Sequence, residues 1–139
     1  MRYQLALLAT FAIPSFACAQ TLPPMPTSLE STERLTLPKA ARTTAMSSLK
    51  GFAAIERGKC KTPVSVQNKL STVSVPMFVL VSGTGNVSKI VPLNTDCPGL
   101  DTVAATEQLR MMKGNTPVPA DGRPHWYWTT LDFSVEFQG

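Results

Sequence analysis

The sequence predicts a small α+β domain. A three-stranded antiparallel sheet in the order strand, strand, helix, strand is packed by one main helix, and an extra N-terminal helix is left open. Three observations carry this. The stretch "VPMFVLVSGTGNVSKIVPL" has two β-favouring runs joined by a glycine-bearing loop. The stretch "GLDTVAATEQLRMMKG" has a wide apolar side and a glycine stop. "HWYWTTLDFSVEF" alternates apolar and polar residues with period two.

The chain has 139 residues, a length for one domain, and its 43% hydrophobic and 16% charged residues mark a globular protein rather than a disordered one. The net charge of +4 is modest. Lys50, Arg57, Lys59 and Lys61 are interrupted by Glu56 with only Phe52 interleaved, which describes a solvated basic face and not a nucleic-acid patch.

Residues 1–19 read as a cleaved export signal. Arg2 begins it, Leu5 to Ile13 form its apolar core, and Ala17 and Ala19 supply small residues before a mature start at Gln20. An uncleaved anchor and a lipidated Cys18 are the competing readings. Removal of Cys18 leaves Cys60 and Cys97, and an even pair in an exported protein predicts a disulfide.

Residues 20–38 hold four prolines and read as a leader or linker rather than a packed element. The domain is then 39–139. The Ala- and Met-rich segment after Lys39 is the candidate first helix, around Ala40 to Lys50, with its Ser and Thr residues weakening the expectation. Val75–Ser82 and Asn86–Leu93 are the hairpin strands. A phosphate loop would put a helix directly after its glycines. A strand follows Gly83 and Gly85 instead, so both glycines are assigned to turn geometry. Asp101 suits a helix N-terminus, and Lys113 with Gly114 suits its end. "TPVPADGRPH" is a loop with an Asp121-Gly122 turn.

In the last strand, Tyr127, Leu131, Phe133, Val135 and Phe137 face the core, with Thr129 a weak member. Thr130, Asp132, Ser134 and Glu136 face away, together with Trp126 and Trp128. The two tryptophans are either an exposed recognition surface or are covered by the first helical segment.

In order and spacing, these pieces resemble the TonB C-terminal domain family, the periplasmic end of bacterial energy transducers. The likeness runs from about Cys60 to Phe137, through the hairpin, Leu100, Asp101 and Ala104 at the helix start, and the Asp-Gly-x-Pro turn before the last strand. Departures are the absence of a tyrosine before Pro63 and the presence of Met111 and Met112 where the family helix is aromatic-rich. The chain also reads as lacking a membrane anchor and a long Pro-rich spacer.

The resemblance implies a non-enzymatic periplasmic module that binds an outer-membrane or other envelope protein by β-strand pairing, with a link to TonB-dependent transport. The last strand is the candidate edge, and Trp126, Trp128, Thr130 and Asp132 are its partner-binding residues. Dimerisation through strand edges is a further expectation. An exported inhibitor or immunity protein is the alternative function.

No catalytic set is recognised. His125 is the sole histidine and has no obvious carboxylate beside it, and no serine stands in a nucleophile context. Neither a metal, a cofactor nor a small-molecule substrate is expected.

Overall fold

The computed structural model describes residues 21–37, 43–93 and 95–136. The expected signal peptide (residues 1–19), Cys18, Gln20 and Phe137 lie outside the described residues. The protein is a small α+β structure with a curled mixed sheet and two helices. Its order is β1 (Glu33–Arg34), α1 (Ala45–Gly58), β2 (Ser65–Gln67), β3 (Leu70–Val81), β4 (Val87–Pro92), α2 (Pro98–Met112) and β5 (His125–Glu136).

The strand–strand–helix–strand unit is β3–β4–α2–β5. Long β3 runs antiparallel to β5 from Leu70↔Glu136 to Val81↔His125. Its other side pairs antiparallel with β4 from Met77↔Pro92, and with β2 from Leu70↔Gln67. The expected count of three antiparallel strands is therefore corrected to a five-stranded mixed sheet, because β2 extends the meander and β1 joins β5 in parallel. β2 escaped notice because its three residues are all exposed and show no apolar alternation. Asn68 and Lys69, both at positive φ, make the tight turn that returns the chain into β3.

Pro76 sits inside β3, where a proline removes a ladder donor. Its position resolves the conflict: β2 ends its pairing at Thr72 and β4 begins at Met77, so the missing N–H falls near the break between two partners. Its carbonyl still accepts from Leu93 N at 2.8 Å.

One sheet face carries the main core. Val73, Val75, Met77 and Val79 lie opposite Phe133, Leu131, Thr129 and Tyr127, and all eight are buried. The expected inward parity of β5 thus holds through Phe133, and Val135 is half-buried near the strand end. Leu100, Ala104, Met111 and Met112 of α2 complete this core. Both methionines act as filling, with Met112 fully enclosed.

α1 begins at Ala45, later than the sequence suggested, because Thr44 caps it by accepting from Ser47 N at 3.1 Å. Its serines, which lower helix propensity, are buried and used: Ser48 Oγ accepts from Ser134 N at 3.1 Å. The helix packs on both α2 and β5. A disulfide joins Cys60, just after α1, to Cys97, just before α2, with their Cα atoms 5.5 Å apart. It fastens the end of one helix to the start of the other.

The hairpin glycines do have turn roles, each for its own reason. Gly85 has φ +83°, which L residues rarely adopt. Gly83 is crowded instead: a Cβ there would lie 1.9 Å from the Gly122 carbonyl, on the Asp121-Gly122 turn.

Candidate functional site

The site to test is the outer margin of β5, and its geometry follows from strand phase. In an antiparallel pair, residues alternate between bonding the partner strand and turning their N–H and C=O away from it. Leu35 N donates to the Trp128 carbonyl at 2.7 Å, and Ser134 N donates to Ser48 Oγ, so the even-numbered residues of β5 face the margin away from β3. These are the positions of Trp126, Trp128, Thr130 and Asp132.

That margin is not a bare edge, which corrects the expectation for the last strand. β1 lies along it in parallel, with Glu33 opposite Tyr127 and Arg34 opposite Trp128. Farther along, Thr43 Oγ1 donates to the Asp132 carbonyl at 2.8 Å. Segments preceding the first helix and the helix itself occupy backbone groups that an isolated strand would offer to a partner.

The reading of residues 20–38 as an unpacked linker is corrected with it. Leu35 is 4% exposed and belongs to the main core. Upstream, the Pro23 carbonyl accepts from Trp126 Nε1 at 3.0 Å. Between these anchors Ser28 organises a turn, its carbonyl accepting from Ser31 and Thr32 and its hydroxyl from Glu30 N. The leader is a strap that crosses from the outer sheet face, around the β5 margin, to the core.

The strap accounts for the tryptophans. On the face away from the helices, Phe78 lies opposite Trp128 and Leu80 opposite Trp126. Phe78 and Leu80 are only 3% and 2% exposed. Trp126 meets Phe78 edge-on at 6.3 Å, and the Arg34 guanidinium lies 5.0 Å from the Trp128 ring centre. Both tryptophans are half-buried, and the leader supplies the Pro23 bond to Trp126 and the Arg34 contact to Trp128.

Below them the outer face turns polar. Asp132 Oδ1 accepts from Ser74 Oγ at 2.6 Å, and Thr72 and Ser134 hydroxyls are 3.0 Å apart. Thr130 stands at the change from aromatic to polar.

Four residues were not legible as part of this region. Pro23 and Leu35 lay in what read as linker, although the alternation "RLTL" was a usable signal. Glu107 and Gln108 of α2 are buried polar residues, at 6% and 1% exposure. Glu107 takes two bonds from Arg110, at 2.6 and 3.0 Å, and further bonds from Ser47 and the Thr44 backbone. The Arg110 bond leads in holding its carboxyl below the usual carboxylate value, against the opposing effect of burial.

His125 has a carboxylate neighbour after all, another correction. Its Nε2 lies 2.9 Å from both Asp121 oxygens, across the loop preceding β5. The Arg123 N–H and then His125 hold the Asp121 carboxyl below its usual value. Burial, reinforced by the negative charges of Glu33 and Asp121, pushes the Tyr127 phenol up. His125 and Asp121 are exposed and hold the loop to the strand; among the described residues no group of three His, Cys, Asp or Glu is placed to hold a metal ion.

No helix among the described residues is long and apolar enough to cross a membrane. Comparison with protein-family models, with curated proteins and with solved structures finds no match to this chain.

Proposed function

We propose that the chain is a non-enzymatic, periplasmic protein-binding module, similar to the TonB C-terminal domain in its β3–β4–α2–β5 unit. It captures an extended segment of an envelope protein along the β5 margin, in a role tied to TonB-dependent transport. The observation that supports this reading most is the parallel pairing of β1 with β5. A margin that accepts one extended segment from its own chain has the spacing and hydrogen-bond phase to accept another. Specificity would come from side chains at alternate positions, with Trp126 and Trp128 supplying large rigid surface and Asp132 a charge.

The strap gives this mode a condition. A partner strand that spans Trp128 must replace β1, so binding and strap release are one equilibrium. Photo-crosslinking in intact cells tests it, with a benzophenone side chain in place of Thr130 or Trp128. The expected result is a discrete adduct with an envelope protein, stronger when residues 21–34 are deleted. If neither position yields an adduct above the level of a probe at exposed Lys113, just after α2, in either chain, the reading fails.

A further inference from the structure

On the other side of β3 from β5, β4 has a single neighbour. Among the described residues it pairs only with β3, and none of its six residues is buried. Strand phase fixes what its outer side offers. Leu93 N donates to the Pro76 carbonyl and Ser82 N to the Asn86 carbonyl. Lys89 and Val91 therefore bond β3, while Val87 and Ile90 turn their N–H and C=O groups outward. No hydrogen bond among the described residues uses those four groups. A bulge leaves Ser88 unpaired and sets both Val87 and Ile90 on the helix side of the sheet, opposite Val81 and Val79.

Beside this edge a groove of about 690 Å³ runs between the start of β4 and the C-terminal half of α2. Val87 and Leu109 give it an apolar wall, and Leu109 is 52% exposed. Arg110 and Lys113 stand at its rim, both exposed, and no carboxylate lines it. Lys89, opposite Leu80, adds an exposed cation on the face of β4 turned away from the helices. Leu37 and Thr43, which bracket residues 38–42, line the β5 margin on the far side of β3.

We propose that the β4 edge and the α2 groove form a second peptide-binding site, for an extended segment of a partner protein in which acidic and aliphatic residues alternate. This site is separate from the β5 margin and does not rest on that reading. An edge that offers N–H and C=O groups is matched by another main chain. A fatty acid shares the carboxylate and the apolar chain but leaves all four groups unpaired. A second copy of β4 brings no carboxylate, since its one charged residue is Lys89. In the bound segment, aliphatic side chains on the helix side lie against Val87 and Leu109. Carboxylates meet Lys89 on the outer face and Lys113 at the end of the groove. Lys89, the bulge and Pro92 confine pairing to a short segment and turn away cationic ones.

The test is an NMR titration of the isotope-labelled full chain with short synthetic peptides. One alternates Glu and Val, one alternates Lys and Val, one is poly-Glu, and one is the Glu–Val peptide N-methylated throughout. The Glu–Val peptide is expected to shift the Val87 and Ile90 backbone amides together with the Leu109 methyl groups. N-methylation, which removes every main-chain donor, should abolish the effect. Reversing both lysines, Lys89→Glu with Lys113→Glu, should weaken the Glu–Val peptide roughly tenfold and admit the Lys–Val peptide. Both lysines are exposed, so the variant keeps its fold, which circular dichroism checks.

No response to the Glu–Val peptide would overturn the proposal. An equal response to poly-Glu or to the methylated peptide would reduce the contact to charge alone and overturn it too. Laurate that displaces the Glu–Val peptide from Val87 and Leu109 would make the occupant a lipid. A concentration-dependent dimer that shields the Val87 and Ile90 amides would make it a second copy; either result overturns the site. Shifts confined to Trp126–Asp132 would assign the peptide to the β5 margin, overturning this site and leaving that reading standing.

Discussion

Replacing Leu35 by alanine tests whether the strap is a separable unit. Leu35 is 4% exposed, and its backbone N–H bonds the Trp128 carbonyl. A buried Leu→Ala change costs about 2–5 kcal/mol when the surroundings cannot let go. Here they can, because β1 is two residues long and, among the described residues, the leader's other anchors to β5 are one bond to Pro23 and the Arg34–Trp128 contact. The loss is then capped by what docking the strap contributes. Leucine burial supplies about 1.5–3 kcal/mol, and the two hydrogen bonds about 0.5–1.5 kcal/mol each. Ordering the leader opposes these gains, so the loss is expected at the low end of the Leu→Ala range, about 2 kcal/mol. Urea unfolding followed by circular dichroism should show a loss of that size. Trp126 and Trp128 are the only tryptophans, so their emission should shift to the red before unfolding begins. The decisive measurement is a double-mutant cycle with Trp126→Phe, which removes the bond to Pro23. Once Leu35→Ala has released the strap, Trp126→Phe should add little. Fully additive losses with unchanged tryptophan emission would refute a strap that acts as one unit.

Three further outcomes follow from the packing. Replacing Cys60 and Cys97 with serine should cost about 4 kcal/mol, the chain-entropy value for a closed loop of this size; the bridged residues are 37 apart, and urea unfolding with and without reductant measures the loss. Glu107→Gln should cost about 1–3 kcal/mol at neutral pH, since it weakens bonds from Arg110, Ser47 and Thr44 to a charged group. Its folded pKa is depressed, so the stabilisation is full above its ordinary value of 4.5 and is lost as pH falls through the folded value. Stability curves of parent and variant should therefore converge in acid and separate above that range. Gly51→Ala should cost about 1–3 kcal/mol by overpacking, because the new Cβ would lie 3.0 Å from the Phe133 ring; a variant as stable as the parent would show that α1 shifts freely on β5.

The legibility of each element tracked the length of its pattern. β5 was readable because its parity repeats over many residues, and α2 because Asp101 and Gly114 bracket it. The hairpin was readable from its glycines, and the disulfide from the even pair of cysteines expected once Cys18 is set aside. The strap was not, because it carries no period: prolines suppress both repeats, and its contacts run to residues about a hundred positions away, as Pro23 to Trp126. The expected free margin failed for the same reason. A strand's own sequence reports which face is buried, but says nothing about what lies beside its backbone. β1 is too short to announce itself, and its partner is chosen by the anchoring of Leu35, a tertiary event. Gln108 was also beyond reach, since a glutamine in a helix reads as a solvated face until packing encloses it.

A strap worth about 2 kcal/mol has a functional consequence. At that value the margin is open in roughly one molecule in thirty, so a partner that requires it open binds about thirtyfold more weakly than its intrinsic affinity. The closed state also hides an edge that would otherwise template association between copies of the chain. A partner strand longer than β1 gains bonds at Thr130 that the strap does not make, so it can displace the strap without being matched bond for bond. The same Leu35→Ala change should therefore tighten partner binding by about that factor while lowering the stability of the fold. Opposite signs on binding and stability are what a self-occupied margin requires. A substitution that merely loosened the core would weaken both.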